Sequence, residues 1–296
     1  MEHKKVHITE VGPRDGFQNL ADFIPTDEKV TIIDMLVDCG ISRIEVSSFV
    51  HPKWIPQLAD AAEVFGRIRQ KPENTYAALI PNEKGLIRAI DSGVKEVEFV
   101  VHCTDRSNIE NLNMTANESL AIMATVVQKA KEHGVDVIPV AANSFGCPYE
   151  GGVPAEKVLK LLRAFADLGV NRAVIADSTG IANPEQIKTL VTRLTGEIPD
   201  VTLSIHLHDI LGIGLANAYA AYEGGVSGFE SSISGLGGCP YSAHPGGNIA
   251  TEELVYMFDR MGVKTGIDLN KLLATAQYVT QIIGHDPRKQ EGHPAS

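Results

Sequence analysis

Residues 172–209 read RAVIADSTGIANPEQIKTLVTRLTGEIPDVTLSIHLHD. The run 172–177 is short, apolar and rich in β-branched residues, the signature of a buried strand. Pro184 then opens an amphipathic stretch over 184–195 whose apolar residues recur at helical spacing. A second apolar run follows at 202–208. Strand, helix and strand in this order form one βαβ unit. The unit recurs along the chain. Strand-like runs stand at 6–11, 43–49, 75–80, 96–101, 136–141, 172–177, 202–208 and 228–234. Helical patterns fall near 27–39, 57–70, 83–92, 116–133, 154–168, 184–195, 214–224 and 251–262. Gly40, Gly93, Gly134, Gly169 and Gly225 each close an apolar helical face, where a left-handed residue ends a helix.

Eight strand-then-helix units predict a (β/α)8 barrel of the TIM type. An open doubly wound sheet has the same count and stays the alternative. A further helix near 268–283 follows, so the expected domain is 1–284, with 285–296 as a polar tail. The chain has 296 residues, enough for a large core without staples, and a net charge of −11 that argues against nucleic-acid partners. Four unpaired cysteines and a polar start without a membrane span point to a soluble, reduced, cytoplasmic protein.

A barrel places its site at the carboxyl ends of the strands. Arg14 and Asp15 follow strand one, Glu45 lies in strand two and Asp177 ends strand six. His206 and His208 stand two apart in strand seven, so both side chains share one face. Asn248 follows strand eight. Asp15, His206, His208 and Asn248 make a mostly hard ligand set for a divalent cation, Mg or Mn first, with Zn or Co possible. Arg14 is a fixed cation for an anion that develops on a substrate, or an ion-pair partner of Asp15 or Glu45. Asp177 reads as a general base, as a group orienting a ligand histidine, or as a cap. Cys239, in a loop with three glycines, could carry a mobile thiol. Cys147 has a similar local sequence, and the residues alone do not choose between them. No dinucleotide or nucleotide-phosphate loop is present, which leaves metal-assisted chemistry next to a carbonyl.

These residues carry a family resemblance. Glu10-Val11-Gly12-Pro13-Arg14-Asp15-Gly16-Phe17-Gln18-Asn19, Gly146-Cys147-Pro148-Tyr149-Glu150-Gly151, His206-x-His208-Asp209, Gly235-Leu236-Gly237-Gly238-Cys239-Pro240-Tyr241 and Gly247-Asn248 resemble the 3-hydroxy-3-methylglutaryl-CoA lyases across nearly the whole chain. The resemblance implies cleavage of that acyl-CoA to acetyl-CoA and acetoacetate, in leucine breakdown and ketone-body metabolism, by a homodimer. It implies that Asp15, His206, His208 and Asn248 bind the metal and that Arg14 stabilises the acetyl-CoA enolate. Glu45 and Asp177 then support proton transfer, and Cys239 rather than Cys147 is the loop thiol. His206, Asp177 and Cys239 share the acid and base roles. Asn248 and Arg14 also face substrate, with Lys53 and Arg106 as candidates for the CoA phosphates. Leu207, Ile210-Leu211, Asp105 and Ala142-Asn143 depart from the family pattern. A related 3-hydroxy-3-substituted glutaryl-CoA is therefore the alternative substrate, and a Claisen-type acyl-CoA synthase a further alternative.

Overall fold

Strand β1 (His7–Glu10) pairs in parallel with β8 (Gly228–Ser231) on one side and with β2 (Arg43–Ser48) on the other. That closure decides between barrel and open sheet. Strands β3 (Thr75–Leu79), β4 (Glu96–His102), β5 (Asp136–Ala142), β6 (Arg172–Asp177) and β7 (Thr202–Leu207) complete a closed barrel in sequence order. The computed structural model describes residues 5–238, 247–285 and 287, so Cys239 and most of the expected tail lie outside the described residues.

Around the barrel run α1 (Thr26–Asp38), α2 (Ala61–Arg67), α3 (Glu83–Asp91), α4 (Asp105–Leu112), α5 (Ala116–Glu132), α6 (Ala155–Asp167), α7 (Pro184–Glu197), α8 (Gly214–Glu223), α9 (Thr251–Arg260) and the additional α10 (Leu269–Ile283). Their apolar faces meet the outward residues of the strands. Ile32, Ile33 and Leu36 of α1, Leu162 and Phe165 of α6, and Leu254 and Phe258 of α9 are fully buried there. Capping follows the side chains. Thr115 and Glu118 form a reciprocal capping box at α5, and Asn183 accepts the Gln186 amide at α7.

Four boundaries differ from the sequence reading. The expected helix over 57–70 is a short turn, Pro56–Leu58, followed by α2, because Asp60 between them is held by Lys29 and Thr26 of α1. Helix α4 has no counterpart in the apolar pattern, since its apolar face is narrow. Its signal is local: Thr104 accepts the Ser107 amide, and Asn113 ends the helix at φ 55°. Strand β7 ends at Leu207, and His208 instead bridges to Asn248. Strand β8 stops at Ser231, because the following backbone pairs with the segment leading into α9.

The barrel interior has two halves. One part is charged, built from β1, β2, β8 and the start of β4: Arg43 donates to Thr9, Glu96 and Glu98 at 2.9, 2.6 and 2.8 Å and lies 3.7 Å from Glu230. The other part is apolar, where Val100 of β4 packs against the cluster of Ile138, Val140, Val174 and Ala176 from β5 and β6.

Candidate active site

Beyond Glu10 the backbone winds into a π-helical turn, Gly12–Gly16, where the amides of Arg14, Asp15 and Gly16 all fold back on the Val11 carbonyl. Such wide turns recur at functional sites because they re-aim side chains. Glu10 anchors it. Its carboxylate accepts from Gly12 N at 2.8 Å, Ile233 N at 2.7 Å and Thr251 Oγ1 at 2.7 Å, tying the turn to the end of β8 and the start of α9.

The turn presents Arg14 and Asp15, both buried, to the barrel mouth. Arg14 donates through Nε to Glu45 and through Nη1 to Asp15, each at 2.5 Å. Both ion-pair readings of this arginine therefore hold at once. Glu45 points inward, beside an irregularity in the β2–β3 register. Burial raises its pKa well above the usual carboxylate range, against the pull of Arg14. Asp15 behaves oppositely. Burial works to raise it, but Arg14, the two imidazoles and the Asn248 amide hold it at about 2.

His206 and His208 converge as period-two spacing requires, with their Nε2 atoms 3.1 Å apart. One ligand atom each from Asp15, His206 and His208 falls within 4.8 Å of the others. Asn248 joins them although it is far away in sequence, because the backbone over 247–251 runs back along β7 and β8. Asp209 N donates to Gly247 O, Ile249 N to Leu207 O and Ser232 N to Ile249 O. Asn248 Nδ2 donates to Asp15 Oδ2 at 2.6 Å and to the Leu236 carbonyl at 2.9 Å. Gly237 passes so close, at φ 107°, that a Cβ there would lie 2.4 Å from Asn248 Nδ2 and 2.9 Å from Asp15 Oδ2.

The orientation of His206 is set from below. Its Nδ1 faces Glu230 Oε2 at 3.0 Å, which fixes the ring hydrogen there and leaves the Nε2 lone pair toward the cluster. Burial and the neighbouring His206 lower the His208 pKa to about 4, so this ring is neutral at neutral pH. The Asn248 Oδ1 atom is buried without a hydrogen-bond partner among the described residues. A low-pKa carboxylate, the neutral His208 ring, a His206 ring oriented by Glu230 and an unmatched amide oxygen fit a divalent cation of the hard or borderline class.

Asp177 ends β6 beside Leu207 of β7. Its carboxylate accepts from Ala182 N at 3.0 Å and Thr179 Oγ1 at 3.2 Å, closing the loop after β6. The carboxylate that orients His206 is Glu230, not Asp177, whereas Asp177 caps the turn after β6 and Asn183 caps α7. The short loop brings its own donors closer to Asp177 than any imidazole. Cys147 is buried, with its sulfur against the Thr104 and Ser107 hydroxyls and the Tyr149 and Glu150 amides. Lys53 is exposed, and Arg106 pairs with Glu110 and lies over the Tyr149 ring. Glu230 escaped the sequence reading, and Glu10 was read only as the start of a motif, without a role. The signal for a role in each was a carboxylate standing in an apolar strand.

Residues 5–279 match the HMGL-like family. The chain is 41 % identical over 281 residues to hydroxymethylglutaryl-CoA lyase YngG of Bacillus subtilis, covering 95 % of this chain and 94 % of that one. It is 38 % identical, over 95 % of its length and 94 % of the relative's, to the 3-hydroxy-3-isohexenylglutaryl-CoA/hydroxy-methylglutaryl-CoA lyase of Pseudomonas aeruginosa. The solved HMG-CoA lyase of Acinetobacter baumannii, in complex with coenzyme A and 3-methylmalate, superposes with a TM-score of 0.92 at 36 % identity, covering 100 % of this chain and 99 % of that one. With fold, matched length and identity in agreement, the chain belongs to the HMGL-like family.

Proposed function

We propose that this protein is a carbon–carbon lyase that cleaves 3-hydroxy-3-methylglutaryl-CoA to acetyl-CoA and acetoacetate. The observation that carries the reading is the meeting of Asp15, His206, His208 and Asn248 at the barrel mouth, with Arg14 bonded to the same Asp15. Those four residues would hold a divalent cation, Mg or Mn. When bound, it supplies Lewis-acid polarisation of substrate oxygens.

The chain's own groups do the rest. A base takes the proton of the 3-hydroxyl, and the carbonyl of acetoacetate forms as the carbon–carbon bond breaks. The bonding pair passes to the acetyl-CoA fragment as an enolate. Arg14, held on Glu45 and Asp15, stabilises the enolate oxygen. An acid then returns a proton to the enolate carbon. We assign the two proton transfers to the set His206, Asp177 and Cys239, with Glu45 supporting Arg14. Glu230 orients His206 through its Nδ1. We extend the reading to a cytoplasmic homodimer that serves leucine degradation and ketone-body metabolism, with residues 1–284 as the catalytic domain.

A second reading has one observation in its favour. The barrel interior on the side of β5 and β6 is lined by apolar side chains that suit a larger 3-alkyl group, and the Pseudomonas relative's name includes an isohexenyl substrate. Incubation with 3-hydroxy-3-methylglutaryl-CoA tests both. Equimolar acetyl-CoA and acetoacetate, lost on chelation and restored by Mg or Mn, is the expected result. Cleavage of a 3-isohexenyl homologue alone selects the second reading, and cleavage of neither overturns the proposal.

A further inference from the structure

Strand β4 alternates cleanly. Val97, Phe99 and Val101 join the outer core beneath the helices, whereas Glu98 bonds Arg43 inside the barrel and Val100 meets the interior apolar cluster. The next inward position is His102, at the carboxyl end of the strand, where this fold opens to substrate. It stands over the apolar half of the interior, in register with Ala142 of β5. The residue is only 7 % exposed. Asn111 Nδ2 of α4 lies 2.7 Å from its Nε2, and an amide nitrogen can only donate. Nε2 therefore accepts, and the ring hydrogen sits on Nδ1. That Nδ1 is buried and has no hydrogen-bond partner among the described residues. Burial also lowers the pKa to about 4, so the ring is neutral at neutral pH. An unmatched buried donor is costly and is retained where a ligand completes it.

We propose that His102 is a substrate-binding residue whose Nδ1–H donates to a carbonyl-type oxygen of the acyl chain, across the barrel mouth from the Asp15–His206–His208 cluster. The inference builds on the acyl-CoA reading above. Wild-type turnover tests that reading by itself, so the two can fail separately.

The test compares wild type, His102→Leu and His102→Asn with 3-hydroxy-3-methylglutaryl-CoA. In the Leu variant KM rises about tenfold, the loss of one buried hydrogen bond, while the melting temperature stays level or rises because an unmatched donor has gone. The Asn amide reaches the place of Nδ1 and restores most of the affinity. An unchanged KM, a loss confined to kcat, a lowered melting temperature in the Leu variant, or no recovery with Asn each overturns the proposal. Two ligands locate the oxygen. Free 3-hydroxy-3-methylglutarate lacks the thioester, and 3-hydroxy-3-methylbutyryl-CoA lacks the carboxylate. The one whose binding His102→Leu weakens names the acceptor, and weakening of neither also contradicts the proposal.

Discussion

Arg14 shows how one side chain serves structure and chemistry together. It compensates two carboxylates, Glu45 and Asp15, in a place water barely reaches. Arg14→Met leaves both without a counter-charge. Urea melts should show a loss of about 3 kcal/mol, and steady-state rates a fall in kcat/KM of about 10³-fold. Arg14→Lys keeps the charge but loses the planar fork. It should recover most of the stability and still lose about 100-fold in rate. A Lys variant with wild-type kinetics would contradict the role given to the guanidinium geometry. Residue type and spacing made this part of the site legible. Arg14 and Asp15 follow a strand, and His206 and His208 share a face by period two. Glu230 was not legible, because its meeting with His206 depends on the β7–β8 register, which neither strand states alone. Asp177 was misread in one of its roles for a related reason. A carboxylate ending a strand can turn back to its own loop, and no pattern tells which way.

Among the elements, the π-helical turn after β1 depends on a carboxylate beneath it. Burial pushes Glu10 up to about 7, despite the three donors around it, against 4.5 when free. The folded state therefore holds this proton more tightly than the unfolded chain does. The stabilisation this gives is complete below about pH 4.5 and is lost as pH rises through 7, a change of about 3 kcal/mol. Glu10→Gln keeps the acceptor for Gly12 and Ile233 and removes the titration. The difference in melting temperature between wild type and Glu10→Gln should move in favour of the variant from pH 5 to pH 8. A difference that stays flat with pH contradicts the account. The strand-and-helix alternation was readable because apolar period changes from two to nearly four at each boundary. The short α4 was not, since its caps carry it rather than an apolar face.

At the scale of the molecule, the barrel closes around a charged half as well as an apolar one. The closed count and order followed from eight repeated units. The ionic interior did not, because inward carboxylates in β4 and β8 look like surface residues until the sheet closes. Arg43 is the common counter-ion of Glu96, Glu98 and Glu230. Arg43→Leu should cost about 3–5 kcal/mol in urea unfolding, the result of leaving buried carboxylates uncompensated. A loss under about 1 kcal/mol would mean the interior carboxylates are protonated and need no cation. Cation binding at the mouth also stabilises the whole fold. Mn at one hundred times its dissociation constant should add about 2.7 kcal/mol, seen as a melting temperature that rises with Mn and falls on chelation.

The most direct test counts Mn bound and acetoacetate formed from 3-hydroxy-3-methylglutaryl-CoA in the same samples, for wild type and His208→Ala. The account predicts one Mn per chain in wild type, turnover in proportion to its occupancy, and loss of both in the variant. Turnover that persists in chelated wild type, or at the wild-type rate in a His208→Ala protein that binds no Mn, would contradict it.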